Sequence, residues 1–180
     1  MPKPNLLSSS AVLLASLCAG SSVAAADAVR DAETPDTAPW RANTGLVTGL
    51  GLALLLPSGG GDAGLGVELY GRYGIPAGPV ILAPGALLGG YYLQHRFAGD
   101  LLGTFRVTLP LGPLAPFAQA GLGPGVRTNP SEGGFAWLGG GGLMLHLGEV
   151  LALGVEVNYL AISGTGFKAL TLGPSIVIGG

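Results

Sequence analysis

Charge is scarce in this chain: charged residues make up 10% of its 180 positions, against about 25% in an ordinary soluble domain. A surface facing water on all sides needs more, so the composition excludes a typical cytosolic globule. The Lys and Arg total of 8 nearly balances an Asp and Glu total of 10. That balance provides neither a basic field for nucleic acid nor a strongly acidic one. Cysteine is nearly missing as well. The single Cys18 falls inside an apolar N-terminal segment, which leaves the rest of the chain without a disulfide or a thiolate metal site. Its neighbour Leu17 stands where a lipoprotein signal has Gly or Ala, so Cys18 reads as a signal-core residue. The two histidines, His95 and His146, have no spaced acid partners, and a metal site is not indicated.

Uninterrupted apolar helices are also absent. Residues 42–61 and 74–94 approach the length of about 20 that a membrane helix needs. However, Pro76, Pro79, Pro84 and several glycines punctuate the second run, and an interior proline costs a helix about 3 kcal/mol. The Gly59 to Gly64 run fits the spacing of a nucleotide-binding fingerprint, but the residues after it alternate like a strand where that motif requires a helix.

What the chain does have is glycine, 34 residues of it, within a sequence that is 48% hydrophobic. Lys3, the apolar run from Ala11 to Gly20 and the small residues Ala24 to Ala26 form a signal peptide over 1–26, cleaved on export. Residues 27–42 are polar and carry Pro35 and Pro39, and read as a flexible periplasmic leader. From 43 to 180 turn signals divide the chain into eight apolar stretches, about 44–56, 64–73, 80–93, 101–110, 114–123, 135–147, 150–161 and 167–178. Each is near the length of about 9–11 residues that a tilted membrane strand needs. Connections 57–62, 94–100, 124–134 and 163–166 hold most polar loop residues, while those at 74–79, 111–113 and 148–149 are mostly tighter. That pattern matches a transmembrane barrel.

Face assignment sharpens this reading. In Gly64 to Gly74, Leu65, Val67, Leu69 and Tyr73 alternate with Gly66, Glu68, Tyr70 and Arg72. The fourth stretch sets Leu101, Phe105 and Val107 against Leu102, Thr104 and Arg106, and the seventh sets Leu153, Val155 and Val157 against Gly154, Glu156 and Asn158. Stretches one, three and eight alternate less clearly. An Arg on the lipid face near the midplane costs about 2–4 kcal/mol, so the charged face turns inward. There Glu68, Arg72, Arg106 and Glu156 are expected to pair, with Gln119, His146 and Asn158 as hydrogen-bond neighbours. Eight strands leave room only for side chains, which disfavours a diffusion pore. Trp40 and Tyr73 fall at one rim, and Tyr91, Tyr92, Phe97, Phe135, Trp137, Tyr159 and Phe167 near the other, as aromatic girdles would.

These features, and strands such as GVELYGRYG and LGVEVNYL, resemble the small eight-stranded outer-membrane barrels of the OmpA, OmpX and opacity-protein type over residues 43–180. The expected fold is all-β: an eight-stranded antiparallel transmembrane β-barrel preceded by a cleaved signal peptide. The resemblance implies a Gram-negative outer-membrane location, contact with outer-membrane lipid and insertion by the outer-membrane assembly machinery. It also implies a structural, adhesive or binding role. The favoured reading is a structural or surface-interaction barrel with a plugged lumen, its loops around Asn129 and Arg96 facing outside where an extracellular ligand could meet them, and no cofactor is expected. One departure is the ending Ile176 to Gly180, where such barrels usually end in an aromatic residue. Two other roles stay open. One is a narrow conduit or binding barrel for a small hydrophobic ligand, opening laterally near Pro84 and Pro116. The other is a lipid-modifying enzyme, for which the loop residues Ser131 and Ser163 lack a recognisable His and acid.

Overall fold

The computed structural model describes residues 38–93, 95–128 and 131–179. The signal peptide, Cys18, the leader as far as residue 37, and Asn129 lie outside them. A short helix, α1 (Ala38–Asn43), precedes eight strands: β1 (Gly45–Pro57), β2 (Gly64–Ala77), β3 (Val80–Leu93), β4 (Arg96–Thr108), β5 (Leu114–Arg127), β6 (Glu132–His146), β7 (Leu151–Ile162) and β8 (Phe167–Gly179). Each strand pairs antiparallel with its neighbour in sequence, and β1 pairs with β8 to close the barrel. No free edge remains for another chain to join.

Register gives the barrel its shape. The row through Gly51 passes Glu68, Gly89, Asp100 and Gly125 to reach β6 at Gly134. The opposite way round it passes Ser175 and Gly154 to reach β6 at Met144, ten residues away. A stagger of ten over eight strands implies a tilt of about 40° from the ordinary strand spacings. At that tilt a strand of this length spans the hydrocarbon layer.

The period-2 pattern decides what faces where. Leu65, Val67, Leu69 and Tyr73 are exposed on the outside, and Glu68, Tyr70 and Arg72 are buried inside. Strands whose alternation is weak in sequence resolve the same way: β1 turns Val47, Ala53 and Leu55 inward, and β8 turns Ala169, Thr171, Ser175 and Val177 inward. Among the described residues the outward positions of the strands carry no charge except Lys168, the second residue of β8.

Pairing is interrupted at three places, 52–53 against 173–174, 73–74 against 83–84, and 101–102 against 123–124. Each contains a strand proline, Pro174, Pro84 or Pro124, which has no N–H to give to the ladder. At two of them a glycine precedes the proline, and a Cβ on Gly173 or Gly123 would collide with the carbonyl of Leu52 or Leu101. Such Gly-Pro corners let a small barrel coil tightly.

Two expectations change. Residues 38–43 form a helix where a flexible leader was expected. It ends where Thr44 bonds back to the Arg41 carbonyl and Gly45 takes a φ of 72°, the left-handed exit that glycine tolerates best. Ala42 and Asn43 are buried at the barrel end. The long connections also shrink. Residues 96–100 belong to β4, 124–127 to β5 and 132–134 to β6, leaving 58–63, 94–95, 128–131 and 163–166 at the end remote from α1. The α1 end has 78–79, 109–113 and 147–150, so the two ends differ little in loop length. Gly, Pro and Asp read locally as turn residues, whereas here Asp100 simply continues the inward face of Leu102, Thr104 and Arg106.

Candidate functional site: the filled lumen and its two rims

Inward residues of β2, β4, β5 and β7 meet at mid-barrel. Gln119 is the hub: its Oε1 accepts from Arg72 Nη2 at 3.0 Å and from Arg106 Nη2 and Nε at 2.8 and 3.1 Å. Its Nε2 donates to Glu156 Oε2 at 3.0 Å and Asn158 Oδ1 at 2.8 Å. Arg106 closes the circuit with an ion pair to Glu156 Oε1 at 3.0 Å. One amide thus orders two cations and an anion, because its acceptor faces the cations and its donor faces the carboxylate. Aromatic faces complete the packing. The Arg72 guanidinium lies 3.8 Å from the Tyr70 ring centroid and that of Arg106 lies 3.7 Å from Phe117, both within cation–π range.

Of the four residues expected to pair, the structure brings Arg72, Arg106 and Glu156 together around Gln119, with Asn158 beside them. Glu68 stands apart, accepting from the Tyr91 hydroxyl at 3.1 Å. Register explains the separation: Glu68 shares a row with Gly89 and Asp100, whereas Arg106 and Gln119 share another with Gly140 and Asn158. His146 also lies elsewhere, at the α1 end, with Nε2 2.7 Å from Asn43 Nδ2. Helix α1 therefore covers the end of the lumen that the Arg41–Glu149 ion pair flanks. That pair, at 2.9 Å with side chains 64% and 53% exposed, contributes little stability in water.

Sequence reasoning left out several lumenal residues. Tyr91 reads as a girdle residue and Asp100 as a loop residue, yet both are buried inside. Extending the period of two back from Arg106 reaches Asp100, and extending it from Gln119 reaches Arg127. Phe167 is likewise corrected from girdle to lumen: it is buried, with its ring 6.3 Å from that of Tyr91. Strand ends carry both faces, so position near a rim does not fix direction. Tyr92, Phe97, Phe135 and Trp137 do face outward at the end remote from α1, and Trp137 packs against Tyr159 with centroids 5.3 Å apart. At the other rim Tyr73 is exposed and Trp40 sits half-buried on α1. Among the described residues no cluster of three or more His, Cys, Asp or Glu is arranged to hold a metal.

No protein-family model matches the chain. No curated protein matches it in sequence. Solved structures do match in fold. Neisserial surface protein A superposes with a TM-score of 0.60 at 11% identity, over 75% of this chain and 96% of that one. The outer membrane enzyme PagL gives 0.51 at 16% identity, over 74% and 98%. Ail, the attachment invasion locus protein of Yersinia pestis, gives 0.51 at 14% identity, over 75% and 99%. The fold is that of the small eight-stranded outer-membrane barrels. Since those three include a surface protein, an enzyme and an attachment protein, the fold alone does not fix an activity.

Proposed function

We propose that this chain is an integral protein of a bacterial outer membrane whose filled lumen serves a structural or surface-interaction role rather than conduction. Its outside carries a continuous apolar belt, with residues such as Leu65, Leu88, Leu122 and Val155 more than half exposed. Exposure on that scale is untenable in water and ordinary in lipid. The observation that carries the reading is the chain of hydrogen bonds from Arg72 through Gln119 and Arg106 to Glu156 and Asn158, which joins β2, β4, β5 and β7 across the interior. An ion would have to break that chain and leave buried charges unpaired. Export by the 1–26 segment and insertion by the outer-membrane assembly machinery belong to this proposal. Planar-bilayer recording tests it: no stable unitary current is expected from the refolded barrel, and a reproducible conductance step would overturn it.

The conduit reading has one observation in its favour, the ladder interruption at Pro84. The lumen behind that interruption is occupied, since an added Cβ on Gly85 would lie 2.6 Å from Arg72 Cγ. Pro116 lies at no such interruption. A lipid-modifying activity would appear as a lipid A mass shift on expression. The site gives it little support: His146 lies at the α1 end, remote from Ser131 and Ser163, and His95, at the same end as the serines, has its Nδ1 beside the Tyr92 hydroxyl at 3.5 Å.

A further inference from the structure

The end remote from α1 holds a cavity of about 150 Å³, several times the roughly 30 Å³ a water occupies in the liquid. Arg96, Arg127 and Lys168 line it, and no acid does. These cations come from three different strands, β4, β5 and β8. Among the described residues none of the three forms an ion pair with an acid. Glu132 is the cross-strand partner of Arg127, yet the guanidinium instead donates from Nη1 to the Thr165 carbonyl. That bond fixes Arg127 at the wall while its remaining N–H groups stay available. Beneath the cations Leu93, Ala98 and Phe167 form an apolar floor, closed below by the contact of Phe167 with Tyr91. The cavity is therefore a cup open to the outside and sealed from the lumen.

We propose that this cup binds a phosphate ester, with the phosphate among Arg96, Arg127 and Lys168 and the apolar part of the ester against Phe167. Three like charges around one small volume repel each other until an anion enters. A phosphomonoester brings between one and two negative charges and three acceptor oxygens, and guanidinium groups match such oxygens in charge-assisted pairs. A carboxylate would satisfy fewer of the donors. Phe97 lines the cup and also faces outward beside Tyr92, so the ester is within reach both from solution and from a lipid headgroup at the rim.

Isothermal titration of the refolded barrel in neutral detergent tests the site, using hexyl phosphate, inorganic phosphate and hexanol as probes. Hexyl phosphate should bind, inorganic phosphate more weakly, and hexanol not measurably. Arg127→Gln should weaken hexyl phosphate about tenfold, the loss of one charge-assisted contact, and rising salt should weaken it further. Arg96→Gln/Lys168→Gln changes only exposed side chains, so it keeps the test valid if Arg127→Gln folds poorly, and it too should lower affinity. Absence of heat with both phosphates, or binding indifferent to the double substitution, would overturn the proposal. A second arm separates the sources. With the barrel in neutral vesicles, adding phosphatidic acid to the bilayer should block hexyl phosphate if the natural ester is a lipid headgroup, and leave it unchanged if the ester is soluble.

Discussion

Replacing Arg106 with Leu puts the lumenal network to a quantitative test. The guanidinium makes the ion pair to Glu156 at 3.0 Å, two hydrogen bonds to Gln119 Oε1, and the stacking contact on Phe117. Removing one partner of a buried pair costs about 3–5 kcal/mol, chiefly because the other charge is stranded. The lower end of that range applies here. Glu156 Oε2 keeps the Gln119 Nε2 donor at 3.0 Å, and Gln119 Oε1 keeps Arg72 Nη2 at 3.0 Å. The expected loss is therefore about 3 kcal/mol, a substantial part of the roughly 5–15 kcal/mol that holds a domain together. Arg72→Leu should cost less, about 1–2 kcal/mol, because Arg72 gives its bond to a neutral amide. The double substitution Arg106→Leu/Glu156→Leu removes both charges and should return to within about 1 kcal/mol of the parent. Reversible urea unfolding in lipid vesicles, followed by tryptophan emission, measures all three variants. The mobility of unheated protein in gels checks that each barrel closes. An Arg106→Leu change below about 0.5 kcal/mol, the scatter of ordinary surface substitutions, would refute the network, as would a double variant no more stable than Arg106→Leu alone.

Two further substitutions test the wall. Gly173→Ala should abolish the compact unheated gel band, because its Cβ meets the Leu52 carbonyl, whereas Gly71→Ala, whose Cβ meets nothing within 4 Å, should leave it intact. Leu69→Arg puts a charge on the outward face midway along β2 and should lower stability in vesicles by about 2–4 kcal/mol. A smaller loss would mean that this face is not in lipid.

Much of the barrel was legible in the sequence because one physical signal recurs along it. A strand with lipid on one side and packed polar groups on the other must alternate, and β2, β4, β6 and β7 do so plainly. In β1 and β8 both faces are apolar: Leu55 and Val177 point inward while Leu54 and Ile178 point outward. Their facing comes from pairing with β2 and β7, a long-range constraint that a local pattern does not carry. The candidate site shows the same division. Charge economy alone turns Arg72, Arg106 and Glu156 inward, but which inward groups touch depends on the ten-residue stagger. That stagger is a property of the closed sheet, and it places Glu68 with Tyr91 instead of with the arginines. Helix α1 escapes the sequence for a different reason. Six residues do not show a helical period, and what holds them is the burial of Ala42 and Asn43 at the barrel end.

The abundance of glycine and the scarcity of charge then have one cause. An eight-stranded lumen has little volume, yet this one holds two arginines and several aromatic rings. The rings and guanidinium stems lie over inward glycines: an added Cβ on Gly49 would strike the Tyr70 ring, one on Gly66 the Tyr91 ring, one on Gly85 the Arg72 stem, and one on Gly142 the Phe117 ring. Each bulky group thus has a cross-strand or diagonal neighbour without a side chain, the large-against-small packing that fills a tapering interior. A methyl at any of these positions would push a charged or aromatic group out of its packed place, and where that group is Arg72 the disturbed charge costs more than the methyl's burial returns. Glycine inside lets a few charges be buried and paired, and lipid outside removes the need for others, so the same geometry accounts for both extremes of the composition.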